Sequence, residues 1–426
     1  MLRVLAVTCQ PQNDIMSDYF KNTELAKRYN ISEATVRNWI KYSREGRVLL
    51  ELVKQKDRWY VANNISNIPI IEELIRQNRK YRNSFSLRTI HPSPRFFEVF
   101  NEDQIYDIVR SLELHHEIPH KYSYFGEGAR LWDRYIKQLF IAGTSSVLTG
   151  TIELLSDNYS HIERHLAGFD KVNVIDIGVG NAIPVKDLLA RLIRQDKLNR
   201  YVALDFSRDV LNIAKQNLQE EFGGGFRFEG YTLDIVHERF PKVSIEDYFR
   251  SEGKIINLVL FLGGTCTNLR APSDAFRSIS ESLNAGDLFI YTGKLASKSA
   301  LPEWFEHEFK RNNLEKPEIA DQERVVFDLL GIQESFYDIE VGFDESLGLR
   351  YARTKLKVAI KIEFALKQGR RTLVFEKGDS ILLWRAWRTT PDDLTGMLRK
   401  GGFYLLHSSQ TQDHNYILTI AEVQKD

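Results

Sequence analysis

Apolar and polar positions divide the chain into stretches of different period. Residues 172–177 are almost continuously apolar (Val172, Val174, Ile175, Ile177) and run into Gly178-Val179-Gly180. A run of that length bounded by glycine predicts a strand buried on both faces. After Pro184 the spacing turns helical, with Leu188, Leu189, Leu192 and Ile193 on one side. Four more strand-like segments, 201–205, 227–232, 256–262 and 287–292, alternate with helical ones. Such alternation predicts an α/β fold, a parallel Rossmann-like sheet with right-handed crossovers. Ligands of these sheets sit at the carboxyl ends of the strands.

Beyond residue 294 the pattern changes. Segments 303–312 and 317–330 read as helices, and 334–343, 349–365 and 371–387 as long alternating strands. From Lys355 to Phe364 apolar and charged positions alternate clearly, save for Ala359, the mark of a sheet with one buried face. The expectation is an antiparallel α+β insertion, residues 300–389, placed before two last strands at 403–408 and 416–423. The α/β body then comprises 170–299 and 390–426. A proline-punctuated boundary, His91-Pro92-Ser93-Pro94, opens a helical stretch over 91–169, with helices expected near 102–112 and 128–140. Between them, Tyr122 to Gly128 is a tyrosine- and glycine-rich turn that either covers a ligand at the sheet edge or is a plain aromatic loop. His115, His116 and His120 form a loose cluster without a carboxylate pattern, so a surface loop is expected and no metal site.

Residues 17–90 carry a third pattern. Thr23 reads as a cap for a helix bearing Leu25, Ala26 and Tyr29, and Asn30 as a left-handed turn. Ser32 caps a second helix that buries Val36, Trp39 and Ile40. Segments 50–54 and 58–62 then pair as a hairpin, and 70–82 is a further, Arg-rich helix. Ala26, Ile31, Thr35, Val36 and Trp39 give this module a pattern that resembles the winged helix-turn-helix of excisionase and MerR-type regulators. The resemblance implies a DNA-binding module. Thr35, Arg37, Asn38 and Lys41 lie off the core face of the second helix, available to base edges or phosphates, with Lys54, Lys56 and Arg58 on the wing. The alternative is a small helical module that packs on protein. Such readers pair on two half-sites, which is consistent with a homodimer.

Charge sharpens this division. The 426 residues hold 58 Lys+Arg and 58 Asp+Glu, a formal net charge of zero. Residues 17–90 contain 15 Lys+Arg against 8 Asp+Glu, so a module of +7 is joined to a body of −7. Two jobs in one chain are expected. Two cysteines, Cys9 and Cys266, lie far apart, which points to a reducing cytoplasm and away from a disulfide framework. No apolar run has the length of a membrane span. Residues 1–16 read as a disordered leader or a start-site artefact.

The chemistry gathers at the strand ends of the α/β body. Asp205 ends the second strand, where a carboxylate accepts both hydroxyls of a ribose. Asp234 is placed to meet an adenine amino group, and Phe206 and Ile235 to sandwich its ring. Pyrophosphate binding requires a third glycine and free N–H groups opening a helix. Here Ile183 and Pro184 stand instead, and Asp176 beside the turn repels phosphate while suiting a sulfonium and an ammonium. The cofactor indicated is S-adenosylmethionine (SAM). After the fourth strand, Gly263-Gly264 lets the backbone pass close to the methyl donor, and Asn268 adds an amide donor and acceptor.

The glycine turn, Tyr201-Val-Ala-Leu-Asp205, the FLGGTCTN element ending at Asn268 and Leu283-Asn-Ala-Gly286 together resemble the histidine-specific Nα-methyltransferases, over roughly residue 122 to the C-terminus. The resemblance implies that Tyr124 reaches the cofactor and that Gly178 and Gly180 line its methionine part. It places Asp205 on the ribose, Asp234 and Ile235 beside adenine, and Asn268 on the amino and carboxylate ends of the substrate. The sequence also departs from the family. The Glu and Ser that hold an imidazole there become, by register, Trp384 and Ala386. Pro184 stands in the register of a family lysine, and a double-tyrosine-proline motif is absent.

The expected activity is therefore SAM-dependent N-methylation of an amino-acid-like or peptide amine other than free histidine, with Asn268, Trp384 and Ala386 facing the acceptor. The alternatives are a DNA-binding regulator whose methyltransferase-like body senses SAM or another ligand, and an enzyme acting on nucleic acid. DNA-methyltransferase motifs such as Asn-Pro-Pro-Tyr are absent, which weakens the last.

Overall fold

The structure is a computed structural model that describes residues 19–29, 31–64, 66–84, 87–143, 146–224, 226–246, 253–296 and 320–423. The expected leader, the turn at Asn30 and the helix at 303–312 lie outside these. Two compact units are present, Met1–Leu87 and Arg88–Asp426.

In the first unit, helices Asn22–Arg28 and Glu33–Arg44 are followed by strands β2 (Leu52–Gln55) and β3 (Arg58–Ala62) and helix Asn67–Ser84. A short strand β1 (Tyr19–Phe20), not foreseen, pairs with β3 and makes the sheet three-stranded in the order β1-β3-β2. Ser32 caps the second helix by accepting the Thr35 N–H at 3.1 Å. The first helix starts earlier than Thr23 suggests: Lys21 is its cap, and the Lys21 N–H donates to Glu24 at 3.1 Å. Leu25, Val36, Trp39, Val61 and Ile71 form the core. Buried Asn67 ties the third helix to the hairpin, donating to the carbonyls of Glu51 and Ala62 and accepting the Glu51 N–H.

The second unit starts at Arg88 because β4 (Arg88–Ile90), expected to end the first module, pairs in parallel with a strand of the insertion. Its body is a seven-stranded sheet. Strands β5 (Lys171–Ile177), β6 (Leu198–Asp205), β7 (Phe228–Thr232), β8 (Ile255–Phe261) and β9 (Leu288–Lys294) are parallel. The insertion contributes β10 (Tyr337–Asp344), β11 (Leu349–Leu356), β12 (Ile360–Leu366), β13 (Gly369–Phe375) and β14 (Ser380–Trp387). The hairpin β15 (Phe403–Gln410) and β16 (Tyr416–Val423) then returns antiparallel beside β9. The order is β15-β16-β9-β8-β5-β6-β7. Alternate residues of each strand enter different cores: Val172 and Val174 pack under helices 147–157 and 186–194, while Ile175 and Ile177 join Phe261, Phe276 and Tyr291 on the other face. This two-sided burial is why the strands read as unbroken apolar runs.

The insertion is not one sheet. It forms two three-stranded sheets, β10-β11-β14 and β13-β12-β4. The expected strand 349–365 is β11 and β12, broken at 357–359, where Lys357 N–H bonds the Phe336 carbonyl at 2.8 Å. The expected strand 371–387 is β13 and β14, broken at a turn where Gly378 has φ +95°. Alternation continues across both breaks, since the buried side faces one core of Phe96, Ile108, Phe327, Ile360, Phe364 and Ile381. Period two reports which face is buried and is silent on where a strand changes sheet. Among the described residues, no helix is long and apolar enough to cross a membrane.

Candidate active site

At the carboxyl ends of β5, β6 and β8 lies a cavity of about 320 Å³. Tyr124, Asp176, Gly178, Gly180, Asp205, Phe206, Asp234, Ile235, Gly263, Gly264 and Asn268 all line it. Residues up to 144 positions apart meet there because each sits where a strand or turn ends at one sheet edge.

The glycine turn is built for close approach. Gly178 and Gly180 have φ of +64° and +55°, a region that glycine enters without strain. A Cβ on Gly178 would stand 2.6 Å from Thr265 Oγ1, and one on Gly180 3.0 Å from the Trp132 ring. Asp205, at the end of β6, accepts backbone N–H groups from Ser207, Phe206 and Gly180. Burial nevertheless pushes its carboxyl up to about 6, against the pull of those bonds. Asp176, 2% exposed, accepts the Tyr201 hydroxyl at 2.6 Å. Burial raises it to about 7, with Asp205 adding to the rise and the Tyr201 bond opposing it. Two desolvated carboxylates, one buried and one half-buried, with no cationic side chain paired to either among the described residues, suit a ligand that brings hydroxyl donors and positive charge.

Asp234 lines the cavity and is also engaged within the protein. Its Oδ2 accepts Lys121 Nζ at 2.8 Å and its Oδ1 the Val236 N–H at 3.1 Å. Lys121 also reaches Asp107 at 2.9 Å and stands 4.4 Å from the Phe206 ring centroid. The Lys121 ammonium therefore already occupies one Asp234 oxygen.

The 3-10 turn His120–Tyr124 closes this side. Ser207 Oγ donates to the Tyr124 carbonyl at 2.5 Å, and the Gly126 N–H donates to Asp209 at 2.7 Å, fixing the turn over the end of β6. The turn carries His120 inward, where its side chain is only 8% exposed. The expectation of a surface loop for the histidine cluster is corrected for this member: the anchored turn points it into the cavity. His120, Lys121, Trp132 and Thr265 are among the lining residues that sequence patterns did not indicate. The one local signal was the tyrosine- and glycine-rich turn itself.

Asn268 ends the short helix Thr265–Asn268, and its Nδ2 lies 3.5 Å from His120 Nδ1. Gly263, φ +75°, donates its N–H to Thr292 at 2.9 Å, which sets the start of that helix. Trp384 and Ala386 are not part of the lining. Trp384 packs against the insertion core with Arg350 5.5 Å from its ring, and Ala386 is 2% exposed on β14. On the same strand, Trp387 Nε1 donates to the carbonyl of Leu269, which does line the cavity, at 2.8 Å.

Residues 104–303 match the family model of the histidine-specific, SAM-dependent methyltransferases. No curated protein matches the chain. Among solved structures, it is similar to an S-adenosylmethionine-dependent methyltransferase from Clostridium acetobutylicum, at 10% identity over 68% of this chain and 98% of that one, TM-score 0.34. It is similar to magnesium protoporphyrin IX methyltransferase from Synechocystis with bound SAH, at 10% identity over 65% and 84%, TM-score 0.35. A glycopeptide N-methyltransferase complexed with sinefungin shares 14% identity over 65% and 87%, TM-score 0.31.

Proposed function

We propose that this chain, a SAM-dependent methyltransferase, methylates the amine nitrogen of an amino-acid-like or peptide acceptor other than free histidine. The observation that carries the proposal is the placement of Asn268. Its amide lies in the cavity lined by Asp205 and the glycine turn, one helical turn from Gly264.

In this proposal Asp205 accepts the ribose hydroxyls, Phe206 and Ile235 hold the adenine, and Gly178 and Gly180 admit the methionine part. Asp176 offers negative charge to its cationic end. When bound, SAM supplies a methyl group on a sulfonium, activated for in-line displacement. The chain aligns the acceptor through Asn268 and keeps water out with Trp132, Tyr124 and Phe206. Free histidine is disfavoured because the register of the family's imidazole partners holds Trp384 and Ala386, which carry no carboxylate or hydroxyl and do not line this cavity, so neither position supplies an imidazole partner.

Turnover of labelled SAM with a panel of amino acids, peptides and nucleic acids tests the proposal. Replacing Asn268 by Ala is expected to raise the acceptor KM at least tenfold with cofactor Kd nearly unchanged. Loss of cofactor binding would remove the role given to Asn268. SAM binding with no acceptor in any class turns the proposal toward a sensor of SAM within a regulator.

For the first unit we propose a winged helix-turn-helix that docks on DNA, as a dimer on two half-sites. Arg37, Asn38 and Lys41 are exposed on one helix, and Thr35 is half-buried at its start. Among the described residues Arg37 and Lys41 pair with exposed partners, Glu33 at 3.7 Å and Glu45 at 4.0 Å, pairs weak enough to yield to phosphate. Gel shift across a salt series should show that replacing Arg37 and Lys41 by Ala flattens the dependence of log K on log salt by about one unit per lost phosphate contact. An unchanged slope leaves a protein-packing module.

A further inference from the structure

His120 and Glu323 form a pair at the cavity wall, and the other Glu323 carboxylate oxygen accepts the Ala320 N–H at 3.4 Å at the start of its helix. His120 Nε2 lies 3.3 Å from Glu323 Oε1, with side-chain exposures of 8% and 10%. The opposite ring nitrogen, Nδ1, lies 3.5 Å from both Asn268 Nδ2 and Tyr124 Oη. Both of these groups can donate a hydrogen bond, and an amide nitrogen can only donate. Nδ1 therefore faces the cavity as the acceptor of these two contacts, while Nε2 faces Glu323 at ion-pair distance without a hydrogen-bond partner among the described residues. Glu323 comes from helix Asp321–Leu330, more than 200 positions from His120 in sequence. A carboxylate behind an imidazole whose other nitrogen faces a ligand space is the arrangement of a general base with its orienting partner.

We propose that His120 is the general base of the methyl transfer and that Glu323 is its positioning residue. The proposal rests on the amine-methyltransferase function given above. His120 Nδ1 takes one proton from the acceptor ammonium. The freed nitrogen lone pair forms the new N–CH3 bond while the S–CH3 electron pair leaves on sulfur, and the proton passes from the imidazolium to water after release. Without a base, the rate would follow the free-amine fraction of an acceptor whose ordinary pKa is about 8. With His120 the acceptor can enter as the ammonium, the form that dominates at neutral pH. The titratable groups around the imidazole are Glu323 from the insertion helix, Tyr124 and Lys121 from its own turn, and Asp205 and Asp234 from the sheet edge. Burial, with Glu323 and Asp205 nearby, raises Tyr124 well above the ordinary phenol range, so Tyr124 stays a hydrogen-bond donor.

The test needs no identified acceptor. Sinefungin carries an amine where SAM carries its sulfonium methyl, and S-adenosylhomocysteine (SAH) carries neither. Titration calorimetry of the full chain should give tighter binding of sinefungin than of SAH by about tenfold, the value of one charge-assisted hydrogen bond. His120→Leu should abolish that preference with SAH affinity unchanged, and Glu323→Gln should reduce it by about threefold. Retained SAH affinity shows that each variant keeps a folded pocket. Equal affinities in the wild-type chain, or a preference that survives His120→Leu, overturns the base. If His120→Leu no longer binds SAH, Glu323→Gln decides: an unchanged preference there overturns the pair. A wild-type chain that binds neither ligand removes the methyltransferase function itself, a failure distinct from that of the base.

Discussion

The cofactor edge and the acceptor wall of this enzyme are built in opposite ways. At the edge, Asp176 is buried and Asp205 half-buried, both desolvated enough to be raised and neither paired with a cationic side chain among the described residues, at the ends of doubly buried strands. At the wall, charge is neutralised within the protein. Glu117 is paired with Arg270 and with Arg385, the latter at 2.5 Å, and Lys121 bridges Asp107 and Asp234. The first region keeps electrostatic demand open for a charged ligand. The second meets its own demand, and beside it Asn268 and His120 present polar atoms to the cavity. The cofactor side is thus built by the scaffold, while the proposed acceptor side is built from atoms brought in by turns.

The largest expected effect that would break this comparison is at the glycine turn. Gly178→Val adds a branched side chain at positive φ against Thr265. Left-handed backbone costs about 1–2 kcal/mol before any clash, so SAH binding is expected to vanish in calorimetry. A variant that binds SAH within tenfold of wild type would show that the close approach at this turn is not required.

Next is Asp205→Asn, expected to weaken SAH by roughly 10- to 100-fold, as hydrogen bonds to a charged group are worth about 1.5–3 kcal/mol each. This variant also isolates the pH dependence. Only the ionised carboxylate accepts both hydroxyls, so wild-type SAH affinity should rise from pH 5 to 7, through the value of about 6, and that rise should be lost in the variant. The sign for stability is the reverse. Asp205 and Asp176 keep protons in the folded chain that the unfolded chain releases near pH 4. Their contribution is full below about pH 4 and lost as pH rises through about 6 and about 7. The Tm of Asp205→Asn relative to wild type should therefore climb between pH 4.5 and 8. A flat difference would mean that Asp205 is not strained by burial.

The smallest effect on ligand binding is expected in the insertion, outside the lining. Trp384→Ala removes packing in the insertion and should cost roughly 2 kcal/mol of stability, with SAH affinity within twofold. A tenfold loss of SAH would join the two regions that the comparison separates.

Much of the cofactor edge was legible in the chain itself. The run from Val172 to Ile177 ending at Gly178 encodes a buried strand and a sharp turn within ten residues, and Asp205 is marked by closing the next strand. Local periodicity and glycine carry such information because backbone conformation is set by neighbours in sequence. The insertion was legible only by face. Alternation from Lys355 to Phe364 identifies the buried side, but the bend at 357–359 and the pairing of β12 with β4 depend on residues far away.

Sequence alone therefore determined the α/β body, its glycine turn and the carboxylates that end its strands. Tertiary structure decided what those groups meet. It placed Lys121 on Asp234, turned His120 into the cavity and set Glu323 behind it, and left Trp384 and Ala386 outside the lining. Each of these rests on contacts between segments more than 100 residues apart or on the course of a strand between two sheets. Neither spacing nor composition records such contacts, because they arise only when the separate cores close on one another.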